Sequence, residues 1–129
     1  MYIAVAVIVI IIVGAAVYVF TQTPTFTPDV TIGIKGNQTT GWNVTSIHVS
    51  LNQKVRLSLI SGDGSQHDLV IAYADNVTSG APVSGDLISQ NFMSQTTPYN
   101  FDFTASKAGT YVFFCQYHYT VMKGIIKIT

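Results

Sequence analysis

The chain has 129 residues, six basic and six acidic side chains, a formal net charge of zero and a single cysteine. This length suits one ordinary domain plus a short additional segment. The lack of a basic excess argues against nucleic-acid binding, and one cysteine excludes a disulfide within the chain.

The first segment, residues 1–20, carries no charged side chain. As an α-helix it would be about 30 Å long, which is enough to cross the hydrocarbon core of a bilayer. We predict a single-pass transmembrane anchor in contact with membrane lipid rather than a cleaved signal peptide. No Lys or Arg precedes the apolar run, and no clear cleavage site follows it.

The next segment, residues 21–29, is rich in Thr and Pro, which disfavours a helix and predicts a short extended tether. The remaining residues, 30–129, are predicted to form one domain. Three N-x-[ST] sequons, at Asn37, Asn43 and Asn76, favour the extracellular or periplasmic side of the cell membrane for this domain.

Alternating apolar residues predict the first strands. Val30–Lys35 and Ile47–Leu51 alternate in this way, with the polar stretch Gly36–Trp42 between them as a loop. His48 falls on the polar face of its strand, which predicts a solvated side chain. Lys54–Ile60 alternates most regularly and is predicted to be a half-buried antiparallel strand.

The middle of the chain is less regular. Ser61–Gln66 is predicted to be a loop, and it leads into the apolar run His67–Tyr73, in which every second residue, starting at His67, shares one face. Ala74–Pro98 is rich in small polar residues. A structureless loop of this length is uncommon in a compact domain, so we expect a short helix or strand around Asp86–Phe92.

The last third returns to strand patterns. Tyr99–Phe103 alternates, Tyr111–Cys115 is aromatic and β-branched, and Met122–Thr129 contains three isoleucines. Gln116–Val121 is predicted to form a tight loop between the last two strands. Seven or so short strands with turns between them predict an all-β fold, a Greek-key β-sandwich.

Three soft donor side chains, Cys115, His118 and Met122, fall within one span of eight residues that includes this loop. With His67 from the upstream run they make up two imidazoles, a thiolate and a thioether, which is the ligand set of a mononuclear blue-copper site with a weak axial methionine. Met93 is an alternative axial donor, but nothing links it to the loop.

Each of these residues also has a purely structural interpretation. A lone cysteine is often a small buried hydrophobe, Met122 begins an apolar strand, and cysteine with histidine binds zinc in many proteins. The joint pattern in a β-rich chain favours one copper ion over these alternatives.

The chain resembles the cupredoxins, the family of small blue copper proteins that includes plastocyanin, amicyanin and azurin. The resemblance rests on two segments, Gly109-x-Tyr111-x-Phe113-x-Cys115-x-x-His118-x-x-x-Met122-x-Gly124 and the upstream His67-Asp68-Leu69-Val70. It implies that His67, Cys115 and His118 are equatorial copper ligands and that Met122 is the axial ligand.

Two features depart from the family pattern. Three residues separate His118 from Met122, against two in amicyanin and four in plastocyanin. Asp68 stands where asparagine is common.

The resemblance implies a one-electron carrier, not an enzyme, with no small-molecule substrate. Its expected partners are respiratory or photosynthetic redox proteins that act as electron donor and acceptor. Tyr117, Tyr119 and Val121, around His118, are expected to form an apolar docking patch. The alternatives are an electron-input subunit of a copper or haem-copper oxidase or reductase complex, and a non-redox copper-binding or adhesion domain.

Overall fold

A computed structural model of the protein describes residues 25–129, which form two β-sheets that share one hydrophobic core. The predicted all-β sandwich is therefore confirmed. The strands are β1 (Val30–Asn37), β2 (Gly41–Trp42), β3 (Ser46–Val49), β4 (Lys54–Ser61), β5 (Val70–Tyr73), β6 (Leu87–Ile88), β7 (Tyr99–Thr104), β8 (Gly109–Phe114) and β9 (Lys123–Ile128).

The predicted anchor, residues 1–20, and residues 21–24 of the predicted tether lie outside the described residues. In the part of the chain that the structure describes, no helix is both long and apolar enough to cross a membrane.

One sheet has the strand order β2-β1-β4-β7, and the other has the order β3-β9-β8-β5-β6. Most neighbours are antiparallel, but β1 is parallel to β4 and β3 is parallel to β9. The antiparallel prediction for Lys54–Ile60 is therefore right for its pairing with β7 and wrong for its pairing with β1. Parallel neighbours need a crossover, and here the chain crosses to the other sheet as β3 between β1 and β4.

Strand β4 shows how the core is built from alternating residues. Val55, Leu57 and Leu59 are fully buried between the sheets, as their spacing predicted, whereas Lys54 on the other face is exposed. Burying these aliphatic side chains, each worth about 1.5–3 kcal/mol, fixes which face of the strand points inward.

Strand β5 is buried on both faces, which simple alternation does not reveal. Leu69, just before the strand, and Ile71 belong to the main core, while Val70 and Ala72 pack with Phe114 in a second, smaller cluster. The second cluster is covered in part by the chain that follows β5. The same segment contains β6. The element predicted around residues 86–92 is therefore a two-residue strand paired with β5.

The stretch Gly36–Trp42, predicted to be a loop, is a tight hairpin that pairs the end of β1 with β2. The side-chain oxygen of Asn37 accepts hydrogen bonds from the backbone N–H groups of Thr39 and Thr40, at 2.8 and 3.1 Å, and so closes the turn. The hairpin thereby buries Trp42, which lies on β2, beside the end of β1.

Two residues of the predicted tether contact the domain. The backbone N–H of Asp29 donates to the carbonyl of Lys54 at 2.8 Å, and the Asp29 carboxylate accepts from the Lys54 N–H at 2.8 Å. The guanidinium of Arg56 lies 5.9 Å from the centre of the Phe26 ring. The chain is therefore held against the start of β4 before β1 begins.

Gly124 on β9 faces the ring of Phe113 on β8, and a methyl group there would overlap that ring and lie 2.9 Å from the Thr45 carbonyl oxygen. We expect Gly124→Ala to lower the free energy of unfolding by about 1–3 kcal/mol, measured by urea denaturation. Gly33→Ala is the matched control, because nothing lies within 4 Å of the added methyl. It should change stability by less than about 1 kcal/mol. Equal stabilities for the two variants would contradict the packing described here.

Candidate metal centre

The loop between β8 and β9 is closed by its own backbone. The N–H of Cys115 donates to the carbonyl of Met122 at 3.1 Å, which extends the β8–β9 pairing by one step. Within the loop the carbonyl of His118 accepts from the N–H groups of Val121 and Met122, at 3.1 and 2.8 Å. The first bond forms because an antiparallel pair brings the end of one strand beside the start of the next, and the other two close a turn within the loop. They fix Cys115 and His118 close together.

His67 reaches the same point from a different part of the chain. Its backbone exchanges two hydrogen bonds with Phe92, at 3.0 and 2.8 Å, so the residue is fixed three positions before β5 begins. The predicted strand therefore starts later than His67. The imidazole is fully buried, and its ring centre lies 6.5 Å from that of Trp42 and 5.9 Å from that of Phe92.

Three donor atoms converge at this end of the sandwich. The Nδ1 atoms of His67 and His118 are 3.2 Å apart, and the Cys115 sulfur lies 4.0 and 3.7 Å from them respectively. In the described residues this is the group of His, Cys, Asp and Glu side chains that is compact enough to hold a metal ion.

The size of this triangle fits a bound metal. The circle through the three atoms has a radius of about 2.1 Å, close to the bond lengths from a transition metal to imidazole nitrogen and thiolate sulfur. Two imidazoles and a thiolate form a soft donor set that suits copper or zinc. The residues present can therefore hold one such ion without rearrangement of the strands.

Met122 lies at the end of the loop between β8 and β9 and is fully buried. Its methyl group lies near Gly36, so the side chain points into the core at the end of β1. The other candidates from the sequence are elsewhere. Met93 is 55% exposed, and His48 is exposed with its Nε2 atom 2.6 Å from the Thr129 hydroxyl, as the alternation predicted.

Burial raises the pKa of the Cys115 thiol above its ordinary value. The backbone N–H groups of Asp68, Tyr117 and His118 partly oppose this effect, while the charge of the Asp68 carboxylate adds to it. A buried thiol that resists ionisation needs a cation beside it to become a thiolate, which is the form that ligates metal. The site is therefore suited to a positively charged occupant.

Asp68 joins the segment of His67 to the loop that contains His118. Its Oδ1 atom accepts from the backbone N–H of Gln116 at 2.8 Å, and its Oδ2 atom accepts from the Gln116 side-chain amide. Gln116 directly follows Cys115, so this pair of bonds connects the His67 segment to the loop between β8 and β9.

Sequence reasoning missed two residues beside the site. Asp63, in the loop before His67, places its Oδ1 atom 2.9 Å from the Nε2 atom of that histidine. The only signal in the sequence was a carboxylate four residues before a candidate ligand. Because a Gly-rich loop can take many conformations, the sequence did not predict that this carboxylate reaches the histidine. Trp42 was missed because its stretch was predicted to be a loop.

The surface around His118 differs from the predicted docking patch in one residue. Tyr117 and Val121 are exposed, at 52% and 42%. Tyr119 instead packs edge-on against Phe114 at 5.3 Å between ring centres, and the Lys123 ammonium lies 4.5 Å from its ring centre. Tyr119 therefore contributes mainly to the second cluster.

The sequence of residues 28–129 matches the family described as copper binding proteins, plastocyanin/azurin family. No curated protein sequence matches the chain significantly.

Several solved structures share the fold. Auracyanin B superposes with a TM-score of 0.64 at 21% identity, covering 84% of this chain and 95% of that one. Auracyanin A, a "blue" copper protein from the green thermophilic photosynthetic bacterium Chloroflexus aurantiacus, gives 0.63 at 23% identity over 78% and 98%. A purple cupredoxin from Nitrosopumilus maritimus gives 0.58 at 13% identity over 78% and 100%.

Proposed function

Because the chain belongs to the plastocyanin/azurin family of copper-binding proteins and has copper as its cofactor, we propose that it is a one-electron carrier with a single blue-copper site. The residues that would hold the copper are the three whose donor atoms converge, His67, Cys115 and His118. Bound copper supplies a one-electron couple between Cu(I) and Cu(II).

The observation that carries the proposal is the triangle of two Nδ1 atoms and one sulfur. Its three atoms lie within 4.8 Å of one another on segments held by backbone hydrogen bonds. Rigid strands on both sides keep the donors in one arrangement, so little structural change accompanies a change of charge at the site.

Met122 is proposed as the axial ligand. It is buried in the same loop. Its carbonyl accepts a hydrogen bond from the Cys115 N–H, and its N–H donates one to the His118 carbonyl. A thioether at this position would be a weak donor, and a weak axial donor tunes the reduction potential.

The partly exposed His118 side chain, between the exposed Tyr117 and Val121, is the proposed contact surface for redox partners. Small apolar surfaces of this kind suit short-lived redox encounters. We propose respiratory or photosynthetic redox proteins as donor and acceptor.

We further propose that the domain is attached to the cell membrane through residues 1–20 and lies on the extracellular or periplasmic side. The uncharged run of 20 residues supports this proposal.

The full chain should remain in the membrane pellet after carbonate washing and dissolve only in detergent, while a chain without residues 1–20 should stay in the supernatant. Release of the full chain by carbonate would refute the anchor.

The copper site is tested by visible and EPR spectroscopy of the full chain in detergent, loaded with Cu(II). We expect an intense thiolate-to-copper band that bleaches on reduction and is absent in Cys115→Ser. Trp42, the single tryptophan, has its ring centre 6.5 Å from that of His67, so Cu(II) should also quench its fluorescence at one equivalent. A colourless protein that takes up only zinc would overturn the proposal.

The axial role of Met122 is tested by Met122→Leu. We expect this variant to keep the thiolate band but to have a higher reduction potential, because loss of a donor destabilises the more positive Cu(II). A shift on the order of 59 mV corresponds to a tenfold change in the one-electron equilibrium. Met93→Leu is the matched control on an exposed methionine and should leave the potential unchanged. Equal potentials in both variants would exclude Met122 as a ligand.

A further inference from the structure

Two carboxylates lie beside the proposed ligands without belonging to the ligand set. Asp63 comes four residues before His67, with a side chain that is 15% exposed, and Asp68 directly follows His67 and is 1% exposed. A charge is costly to bury unless its surroundings compensate it. Two such groups on either side of one ligand therefore point to a role at that ligand.

Asp63 is held by a complete set of hydrogen bonds. Its Oδ1 atom accepts from the Ser61 hydroxyl and the Ser65 N–H, each at 3.0 Å, and its Oδ2 atom accepts from the Gln38 N–H at 2.7 Å. Each of its two oxygens therefore faces a backbone N–H group, which can only donate, and this pattern suits an ionised carboxylate. The carboxylate is therefore charged and fixed in place.

The contact between Asp63 and His67 sets which imidazole nitrogen carries the proton. The Oδ1 atom lies 2.9 Å from Nε2, and an ionised carboxylate can only accept, so Nε2 is the protonated nitrogen. The lone pair is then left on Nδ1, the atom that faces the Cys115 sulfur at 4.0 Å. Asp63 thus keeps His67 in the tautomer whose Nδ1 lone pair is free to bind a metal ion.

Asp68 places a second charge near the sulfur. Both of its oxygens accept hydrogen bonds from Gln116, a pattern that suits an ionised carboxylate. The hydrogen bond from the Gln116 N–H holds this charge beside the residue that directly follows Cys115.

We propose that Asp63 and Asp68 are positioning residues whose negative charges lower the reduction potential of the bound copper. Asp63 acts through His67, and Asp68 acts through the segment that carries Cys115. A negative charge beside a metal stabilises the more positive oxidised ion, and the effect is weakly screened in a buried site. This inference rests on the proposed function, because it requires copper at these ligands.

The potential is tested with Asp63→Asn and Asp68→Asn in the full chain loaded with copper. Asparagine keeps the shape and one acceptor oxygen but removes the charge. We expect each variant to keep the thiolate band and to shift the reduction equilibrium at least tenfold toward Cu(I), about 59 mV for one electron. Asp75→Asn is the matched control, since Asp75 is exposed on the turn after β5 and its charge is screened by solvent.

The positioning role is tested without copper. Nitrogen-15 NMR of the copper-free chain at pH 8 should show His67 as a single tautomer protonated at Nε2. Asp63→Asn should keep this tautomer, because the amide oxygen can still accept from Nε2. Asp63→Ala should populate both tautomers.

The two parts of the proposal fail in distinguishable ways. Potentials of both Asn variants equal to that of Asp75→Asn, with the thiolate band intact, would overturn the charge effect and leave the proposed function standing. An unchanged tautomer in Asp63→Ala would overturn the positioning role of Asp63. A wild-type chain with no thiolate band would overturn the proposed function, and with it the claim about the reduction potential. The tautomer of His67 in the copper-free chain would still decide the role of Asp63.

Discussion

The pairing of β8 with β9 is the constraint on which the rest of the site depends. Both strands are interior in their five-stranded sheet, with β5 beside one and β3 beside the other. The bond from Cys115 to Met122 continues this pairing into the loop, so the loop cannot shift without disrupting the sheet. The backbone bridge of His67 to Phe92 and the Asp68–Gln116 bonds then fix the His67 segment against it. The arrangement of the proposed ligands is thus a property of the sandwich.

The site combines burial with charge in a way that favours a cation. A fully buried thiol next to a carboxylate is a poor environment for a thiolate alone, because desolvation and like charge both oppose ionisation. Positive charge between the two imidazoles and the sulfur relieves both effects. Selectivity among metals is then left to donor softness and to the geometry that the loop imposes.

Much of this arrangement could be read from the sequence, because period-two alternation depends only on which side chains are buried. Val55, Leu57 and Leu59 identified β4 in this way, and the spacing of Cys115 and His118 identified the loop. Alternation gives no information about which strands are neighbours, so the parallel pairing of β1 with β4 was not foreseen.

Other features depend on contacts between distant residues. The burial of both faces of β5 depends on a cover supplied from Val77 onward. The contact of Asp63 with His67 depends on the conformation of a loop with no periodic signal. Sequence patterns record burial along one strand, but they do not record which distant segment packs against it.

The course of β1 has a consequence for how the molecule is oriented. Its last residues lie at the ligand end, where Gly36 is next to Met122 and Trp42, whereas its first residue, Val30, lies six residues earlier. At about 3.3 Å per residue the strand places these ends about 20 Å apart. The polypeptide therefore enters the sandwich at the end opposite the proposed ligands. In a domain held to a surface by its N-terminus, the histidine edge would therefore lie at the end of the sandwich farthest from the attachment.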